Sequence, residues 1–354
     1  MLKLRRGTVV STEPLTVEVG GEHRAAWADE ALVGAVEAGD EVVVNTQARD
    51  LGLGSGGFDV VHVNLSRGLF GSEDEGVHVM KLNYTSLQHP VETVEIEHGE
   101  PELGPRPPVV VISLHGHLAP LAWAAANAGP DLRVGFVQGA GGALPGSLSR
   151  DVAELRLRGL LHGHVTAGAA YGGEREAISI VGALDAAARR LEWDAVIVGP
   201  GPGILGSATR FGHGGMAALD GAHAALALGL PTLVCPRLSS SDPRSGHRGL
   251  SHHSVAVLQL LLAPVRVPVP EAELEGWPML SEAPEGGSAR AALDSLIEIC
   301  RGRHDLAVQP IDLDGYAASG LPAATMGRSI VEDPLFFASP LAAGRALAAA
   351  TNGV

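Results

Sequence analysis

The sequence VVVISLHGH, residues 109–117, decides the fold, because an uninterrupted apolar run passes directly into a polar segment with two histidines. A continuous run of Val and Ile is typical of a strand that is buried on both faces, as in a parallel sheet. Five further runs predict strands, at residues 133–137, 164–167, 195–198, 232–235 and 265–269. Five helices are predicted, at residues 118–128, 149–161, 174–191, 215–228 and 251–262. Strands that alternate with helices indicate a Rossmann-like α/β domain with right-handed crossovers, which we place at residues 109–270.

Residues 1–100 have a different pattern, in which short β-branched runs are separated by glycine-rich turns. Short strands at this spacing predict a small β-barrel or β-sandwich domain. The Pro- and Gly-rich segment 100–108 marks the predicted domain boundary. Residues 271–354 begin with an acidic linker and continue with predicted helices at 289–300 and 341–350 and a strand at 306–308. We expect this C-terminal α/β segment to pack on the central domain.

Composition excludes several classes of function. The formal net charge of −15 argues against nucleic-acid binding, which requires a basic surface. The only lysines are Lys3 and Lys81, so the central domain has no lysine for a Schiff base or a P-loop. Cys235 and Cys300 lie far apart, which is unlike a disulfide scaffold and fits a reducing compartment.

The sequence also bears on location and assembly. No apolar run has the length or flanking residues of a signal peptide or a transmembrane helix. We therefore expect a cytoplasmic protein without a nucleic-acid or membrane partner. The Ala-rich helices are compatible with packing against a second copy, but nothing in the sequence selects a homo-oligomer over a monomer.

The predicted strands end in long segments that are polar or rich in glycine, whereas the opposite ends carry short turns such as Leu230-Pro231. Ligands of open parallel sheets bind at the carboxyl ends of the strands, near a switch in strand order. Long loops in compact domains are often functional. We therefore predict the site within residues 114–117, 138–147, 199–215 and 236–253.

Histidines are the candidate catalytic residues in these segments. We select His115, His117, His213 and His252, and His247 and His253 fall at the same edge. A neutral imidazole binds metals and transfers protons near neutral pH. If the backbone of residues 115–117 is extended, the rings of His115 and His117 point the same way. Because Asp242 is the only carboxylate in these loops, a site for a hard cation is disfavoured, and the metal stays unknown.

The glycines after the strand at 195–198 predict an anion cradle. Residues 201–206 match the pattern of a dinucleotide-binding loop, but no helix begins at once and no acidic residue follows the next strand, so no cofactor is assigned. Backbone N–H groups and a helix N-terminus near residue 215 still favour a phosphate or carboxylate. The candidate ligand-binding residues are Gly139, Gly201, Gly203, Gly206, Thr209, Arg210, Arg237 and Arg248.

Three segments, at residues 80–85, 199–215 and 248–254, resemble an uncharacterised bacterial family that is known as a domain of unknown function and is frequent in actinobacteria. The resemblance spans nearly the whole chain and implies one architecture, but it supplies no activity, substrate or catalytic residue.

The leading functional hypothesis is an enzyme that binds a small anionic metabolite at the carboxyl edge of the sheet. Two alternatives stay open. The first alternative is a non-catalytic ligand sensor or scaffold that uses its N-terminal β domain. The second is a histidine-based metal-dependent hydrolase.

Overall fold

The computed structural model describes residues 1–53, 56–69, 71, 77–95, 106–207, 209–271 and 289–351. The chain divides into two compact units, Met1–Glu92 and Thr93–Val354. The boundary expected at residues 100–108 and the linker expected after residue 270 lie largely outside the described residues. No helix in the described part of the chain combines the length and the apolar character needed to span a bilayer.

The first unit contains a closed five-stranded barrel with the order β1-β2-β3-β5-β4. Its strands are β1 (Leu4–Thr12), β2 (Leu15–Val19), β3 (Glu22–Trp27), β4 (Glu41–Asn45) and β5 (Asp59–Asn64). Alternate valines of these strands fill the interior, as the two-residue period of a strand requires. The sequence left a barrel and a sandwich open, and the closed order selects the barrel. Two four-residue helices, α1 (Glu30–Val33) and α2 (Gln47–Asp50), and a separate hairpin, β6 (Val79–Lys81) and β7 (His89–Val91), complete the unit.

The second unit is built on an eight-stranded sheet in which every neighbouring pair is parallel. Its strands are β8 (Val109–Ile112), β9 (Val134–Gly139), β10 (Gly163–Ala167), β11 (Arg175–Ala177), β12 (Ala195–Pro200), β13 (Thr232–Cys235), β16 (Arg266–Pro270) and β17 (Asp305–Gln309). The short pairs β14 (Leu238–Ser239) with β15 (Gly249–Leu250), and β18 (Ala324–Thr325) with β19 (Arg328–Ser329), lie outside this sheet. The α/β prediction is confirmed, and the sheet is consistent with a Rossmann-like domain.

Eight helices of the second unit are described, and most begin and end close to their predicted bounds. They are α3 (Leu118–Ala128), α4 (Arg150–Leu157), α5 (Ile180–Arg189), α6 (Ala217–Ala227), α7 (His252–Leu260), α8 (Ala289–Cys300), α9 (Leu313–Ala318) and α10 (Pro334–Thr351). The predicted helix at 174–191 was wrong at its start, because residues 175–177 pair with β10 as an edge strand. The true start is residue 180, where the Ser179 side chain accepts a hydrogen bond from the Gly182 N–H group and caps α5.

The strand order β11-β10-β9-β12-β8-β13-β16-β17 contains a switch point at its centre. The adjacent strands β8 and β12 lead in opposite directions, since β8 continues through α3 to β9 and β12 continues through α6 to β13. Right-handed crossovers in opposite directions place α3 and α6 on opposite faces of the sheet. The loops after β8 and β12 therefore diverge and leave a crevice at the carboxyl edge.

The C-terminal helix α10 covers α3 and also contacts β16. The two helices approach closely because Gly344 has no side chain. A Cβ at this position would lie 2.2 Å from the backbone oxygen of Leu121. Leu335, Phe336 and Phe337 at the start of α10 are almost fully buried. The C-terminal segment is thus part of the core of the second unit and packs against the sheet through β16.

Candidate functional site

A cavity of about 980 Å³ opens at the carboxyl ends of β8, β12 and β13, which are neighbours in the sheet. Each of these strands sends a loop to the cavity wall, and the tip of the β18–β19 hairpin closes the remaining side. The lining residues are 114–116, 203–207, Arg237, 244–247, His252, His253 and 324–326. The cavity therefore lies at the switch point that the topology creates.

Four histidines form one cluster at this cavity, on the loops after β12 and β13 and at the start of α7. The rings of His213 and His253 are stacked, with their centroids 3.4 Å apart and their planes at 8°. The ring centroid of His252 lies 4.3 Å from that of His253 and 5.7 Å from that of His213. His247 lies at the side of the cluster, 4.6 Å from the His253 ring. Nitrogen atoms of His213, His252 and His253 come within 4.8 Å of one another.

Local backbone interactions hold these rings in place. Ser251 caps α7 by accepting a hydrogen bond from the N–H group of His253. The same hydroxyl group is hydrogen-bonded to Nδ1 of His247 at 2.8 Å. The backbone N–H of Ser251 donates to the carbonyl oxygen of Arg237, which ties the start of α7 to the end of β13. On the other loop, an antiparallel bridge between Gly206 and His213 fixes the position of His213.

The imidazoles of the cluster are held in the neutral form. Burial lowers the pKa of all four, and the positive charge of Arg237 adds to the effect. The pKa is lowered to about 4 for His247 and to about 2 for His253. His252 and His253 also lie in the first turn of α7, where the helix dipole opposes a positive charge. At neutral pH the cluster therefore presents nitrogen lone pairs and not cations.

His213 has one buried nitrogen atom without a partner. Its Nε2 lies 3.1 Å from the carbonyl oxygen of Arg210, so Nε2 carries the hydrogen and donates it. Its Nδ1 then carries a lone pair, is buried and has no hydrogen-bond partner. A buried polar atom without a partner costs about 1–3 kcal/mol. A Cβ at Gly215 would lie 3.1 Å from this atom and 3.3 Å from Nδ1 of His253, so only glycine leaves that space clear.

An arginine network lies beside the histidines, and two of its members, Arg237 and Arg244, line the cavity. Asp242 is fully buried and accepts hydrogen bonds from Arg237 at 3.0 Å and Arg244 at 2.8 Å, and Arg328 lies 3.4 Å away. Arg328 also donates to the buried carboxylate of Asp333 at 3.1 Å. Although burial opposes it, hydrogen bonds and charge from Arg244 and Arg237 hold the pKa of Asp242 below its ordinary value. Three guanidinium groups thus face two carboxylates, which leaves one positive charge in surplus.

Arg237 is the member of this network that lies deepest in the cavity wall. Its side chain is buried, and its Nε has no hydrogen-bond partner. Burial, together with the charge of Arg244, lowers the pKa of Arg237 to about 10, which leaves the guanidinium group charged at neutral pH. Arg237 therefore places a charged group with one unused N–H at the cavity wall.

The structure separates the first two predicted histidines. Residues 115–117 form a 3₁₀ turn, so the extended backbone that would point both rings the same way was wrong. His115 lines the cavity and is hydrogen-bonded to Ser149 Oγ at 2.7 Å and to the Pro200 carbonyl oxygen at 3.0 Å. His117 is fully buried in the core, where its Nδ1 lies 3.4 Å from Cys235 Sγ. The turn, which leads directly into α3, directs the two rings to different surroundings.

The predicted ligand-binding residues also divide into two groups. Gly203, Gly206 and Arg237 line the cavity, together with the histidines already described. A smaller cavity of about 500 Å³ lies next to it and is lined by Gly206 and His213. Both cavities therefore share the glycine-rich loop after β12.

The other five predicted ligand-binding residues lie outside the cavity lining. Gly139 packs against Ile180, and Gly201 lies against the backbone of Ala143. Thr209 is exposed and is hydrogen-bonded to Ser207. Arg210 is exposed and donates to Gln259, and Arg248 donates to the backbone oxygen of Asp242 at 3.1 Å.

Several residues of the site were not among the selected candidates. The adjacent pair His252–His253 at a helix start was a usable signal for His253, and His247 lies in the same loop. Arg244 was visible as one more arginine in that loop. Arg328 and Asp333 come from the C-terminal segment, more than 80 residues after Asp242 in the chain, and no local sequence signal links them to the site.

Comparison with protein families identifies this chain. The model of the family described as "Protein of unknown function (DUF3866)" matches residues 25–344, so the chain belongs to that family. This confirms the resemblance to a domain of unknown function. Neither the curated proteins nor the solved structures give a significant match. The site must therefore be interpreted from its own geometry.

Proposed function

We propose that this protein is an enzyme that binds a small anionic metabolite, carrying a phosphate or carboxylate group, in the cavity at the carboxyl edge of its parallel sheet. The observation that carries the proposal is Arg237, a buried and charged side chain on the cavity wall whose Nε has no partner. A charged donor without an acceptor in a concave site is matched by an anionic group of a ligand.

The local charge supports an anion over a cation or a neutral ligand. The whole chain carries −15, yet Arg237 and Arg244 line the cavity and belong to a network of three arginines and two carboxylates. A positive patch in an acidic protein attracts anions to one place on its surface. The first turn of α7 adds backbone N–H groups at the same wall.

The histidines support a reaction as well as binding. His115 and His252 line the same cavity as Arg237, and His253 lies beside them. Neutral imidazoles next to a bound anion can accept or relay a proton, or hold a metal ion that polarises the ligand. His117 lies away from the cavity, and we assign it a packing role.

The test is a thermal-shift and calorimetric screen of the full chain with inorganic phosphate, pyrophosphate and a set of small phosphorylated and carboxylated compounds. An anion that binds the native state should raise the melting temperature with concentration. We expect Arg237→Met to weaken binding of the best compound by at least about 30-fold, because losing one partner of a buried charged hydrogen bond costs roughly 2 kcal/mol or more.

The matched control is Arg290→Met, which removes an exposed arginine of α8 whose ion pair with Asp294 lies on the surface. This variant should bind as the unchanged protein does. If Arg237→Met retains full affinity for every compound that binds, the proposed role of the cavity is wrong. The same conclusion follows if no anion stabilises the unchanged protein.

A further inference from the structure

We propose that His213, His252 and His253 form a binding site for one divalent late first-row transition metal ion, of the class of Zn²⁺ or Co²⁺. The inference concerns the same cavity as the proposed function but goes beyond it. It rests on the histidines and not on Arg237, and it does not depend on anion binding.

The first support is the geometry of the three rings. Each offers one nitrogen atom, and these atoms lie within 4.8 Å of one another. Nitrogen ligands at about 2.0–2.1 Å from a tetrahedral zinc ion are separated by roughly 3.3 Å. Movements on the order of 1 Å would therefore bring the three atoms into coordination. Binding one ion also requires the stacked rings of His213 and His253 to turn out of their parallel arrangement, so that both lone pairs point at the ion.

The second support is the orientation of His213. A histidine that binds a metal through one nitrogen usually donates the other ring N–H to a carboxylate or a backbone carbonyl group. His213 has this arrangement, because Nε2 donates to the Arg210 oxygen at 3.1 Å and Nδ1 is buried without a partner. The backbone thus fixes the tautomer that leaves Nδ1 as a ligand atom. A metal ion would satisfy the one polar atom of this ring that the protein leaves unpaired.

The third support is the chemistry of the donor set. Imidazole nitrogen suits zinc, cobalt, nickel and copper, whereas magnesium and calcium require oxygen ligands. The buried carboxylate of the adjacent network, Asp242, is occupied by three arginines and is not available to a hard cation. Three neutral nitrogen ligands also leave a coordination position unfilled by the cluster, as is usual for catalytic zinc.

The fourth support is how the fold assembles these residues. His213 comes from the loop after β12, and His252 and His253 come from the start of α7, the helix that follows β13; β12 and β13 lie on the two sides of β8. Residues 214–216 form a turn in which Gly215 leaves clear the space next to Nδ1 of His213 and of His253. Folding of the sheet therefore brings the ligand atoms together before any metal is present.

The experiment is a titration of chelator-treated full-length protein with Zn²⁺ in competition with a chromophoric chelator, and with Co²⁺ followed by visible absorption. We expect one equivalent to bind and Co²⁺ to give the intense visible bands of a four-coordinate ion. His213→Ala and His252→Ala should each weaken Zn²⁺ binding by about 100-fold and remove these bands. The melting temperature of metal-free His252→Ala should stay near that of the unchanged protein, because its side chain is only partly buried.

The matched control is His162→Ala, which removes an exposed histidine of the same unit and should leave the affinity unchanged. If His213→Ala fails to fold, the Zn²⁺ affinity of His252→Ala alone tests the proposal. The proposal is overturned if the unchanged protein binds no stoichiometric Zn²⁺, or if His162→Ala loses as much affinity as His252→Ala. Arg237→Met should still bind Zn²⁺, so failure of anion binding and failure of metal binding are separate results.

Discussion

Replacing Asp242 by asparagine should destabilise the second unit and make the protein more responsive to anions. Asp242 is fully buried, and its carboxylate is the shared partner of Arg237, Arg244 and Arg328. An asparagine of the same shape keeps one acceptor oxygen but removes the negative charge. The surplus of positive charge at the cavity wall then rises from one to two.

The expected loss of stability is about 3 kcal/mol, the lower end of what is found when one partner of a buried ion pair is removed. For a unit of this size, each kcal/mol shifts the melting temperature by roughly 2–4 °C, so the variant should melt roughly 6–12 °C lower. Inorganic phosphate should then stabilise the variant more than the unchanged protein, because it can replace the missing negative charge.

The pH dependence gives a second check. The pKa of Asp242 is lower in the folded state than its ordinary value near 3.9. Its contribution to the free energy of unfolding is therefore present above about pH 4 and is lost as the pH falls through the pKa of the folded state. The difference in stability between the two proteins should therefore be full at pH 7 and shrink below about pH 4.

The assay is thermal unfolding followed by circular dichroism, at several pH values and with and without phosphate. Asp294→Asn is the control, since it removes an exposed carboxylate of α8 and should cost about 0.5 kcal/mol or less. If Asp242→Asn melts within 1–2 °C of the unchanged protein, roughly the effect expected of a surface pair, the network does not hold the site as described.

Two further predictions concern the core. Gly344→Ala should lower the melting temperature, because the alanine Cβ would lie 2.2 Å from the Leu121 backbone oxygen and force α3 and α10 apart. This effect should outweigh the better helix propensity of alanine, which is about 1 kcal/mol. An unchanged or raised melting temperature would contradict this helix contact. Burial raises the pKa of the Cys235 thiol to about 12 and that of Cys300 to about 11, so neither should react quickly with a disulfide reagent at pH 8 in the native protein, and both should react after denaturation. Rapid labelling of the native chain would show that these thiols are accessible.

The fold was predictable because its strands are continuous apolar runs and its helix starts carry capping serines. Ser149 caps α4 and Ser251 caps α7. Residues 175–177 were misassigned because an edge strand of three residues carries no periodicity of its own. It is defined by pairing with β10, which is a tertiary interaction. The same applies to the small β14–β15 and β18–β19 pairs.

The sequence predicts the location of the candidate site, but it predicts only some of the residues that form it. The rule for parallel sheets placed His115, His213, His252 and Arg237 at one edge, and the structure brings these residues to the cavities there. Arg248 and Arg210 were selected on residue type alone. Arg248 donates a hydrogen bond to the backbone oxygen of Asp242, and Arg210 donates one to the Gln259 side chain. The contact between Arg328 and Asp242 depends on how the C-terminal segment returns to the sheet edge. No local sequence pattern contains that information.

The most direct test of the central claim is a crystal structure of the protein grown with millimolar inorganic phosphate. We expect density for the anion inside the cavity, within hydrogen-bond distance of the Arg237 guanidinium group and beside the cluster of His252 and His253. A cavity that holds only water, with Arg237 Nε bonded to another protein group, would contradict the claim that this edge of the sheet is an anion-binding site.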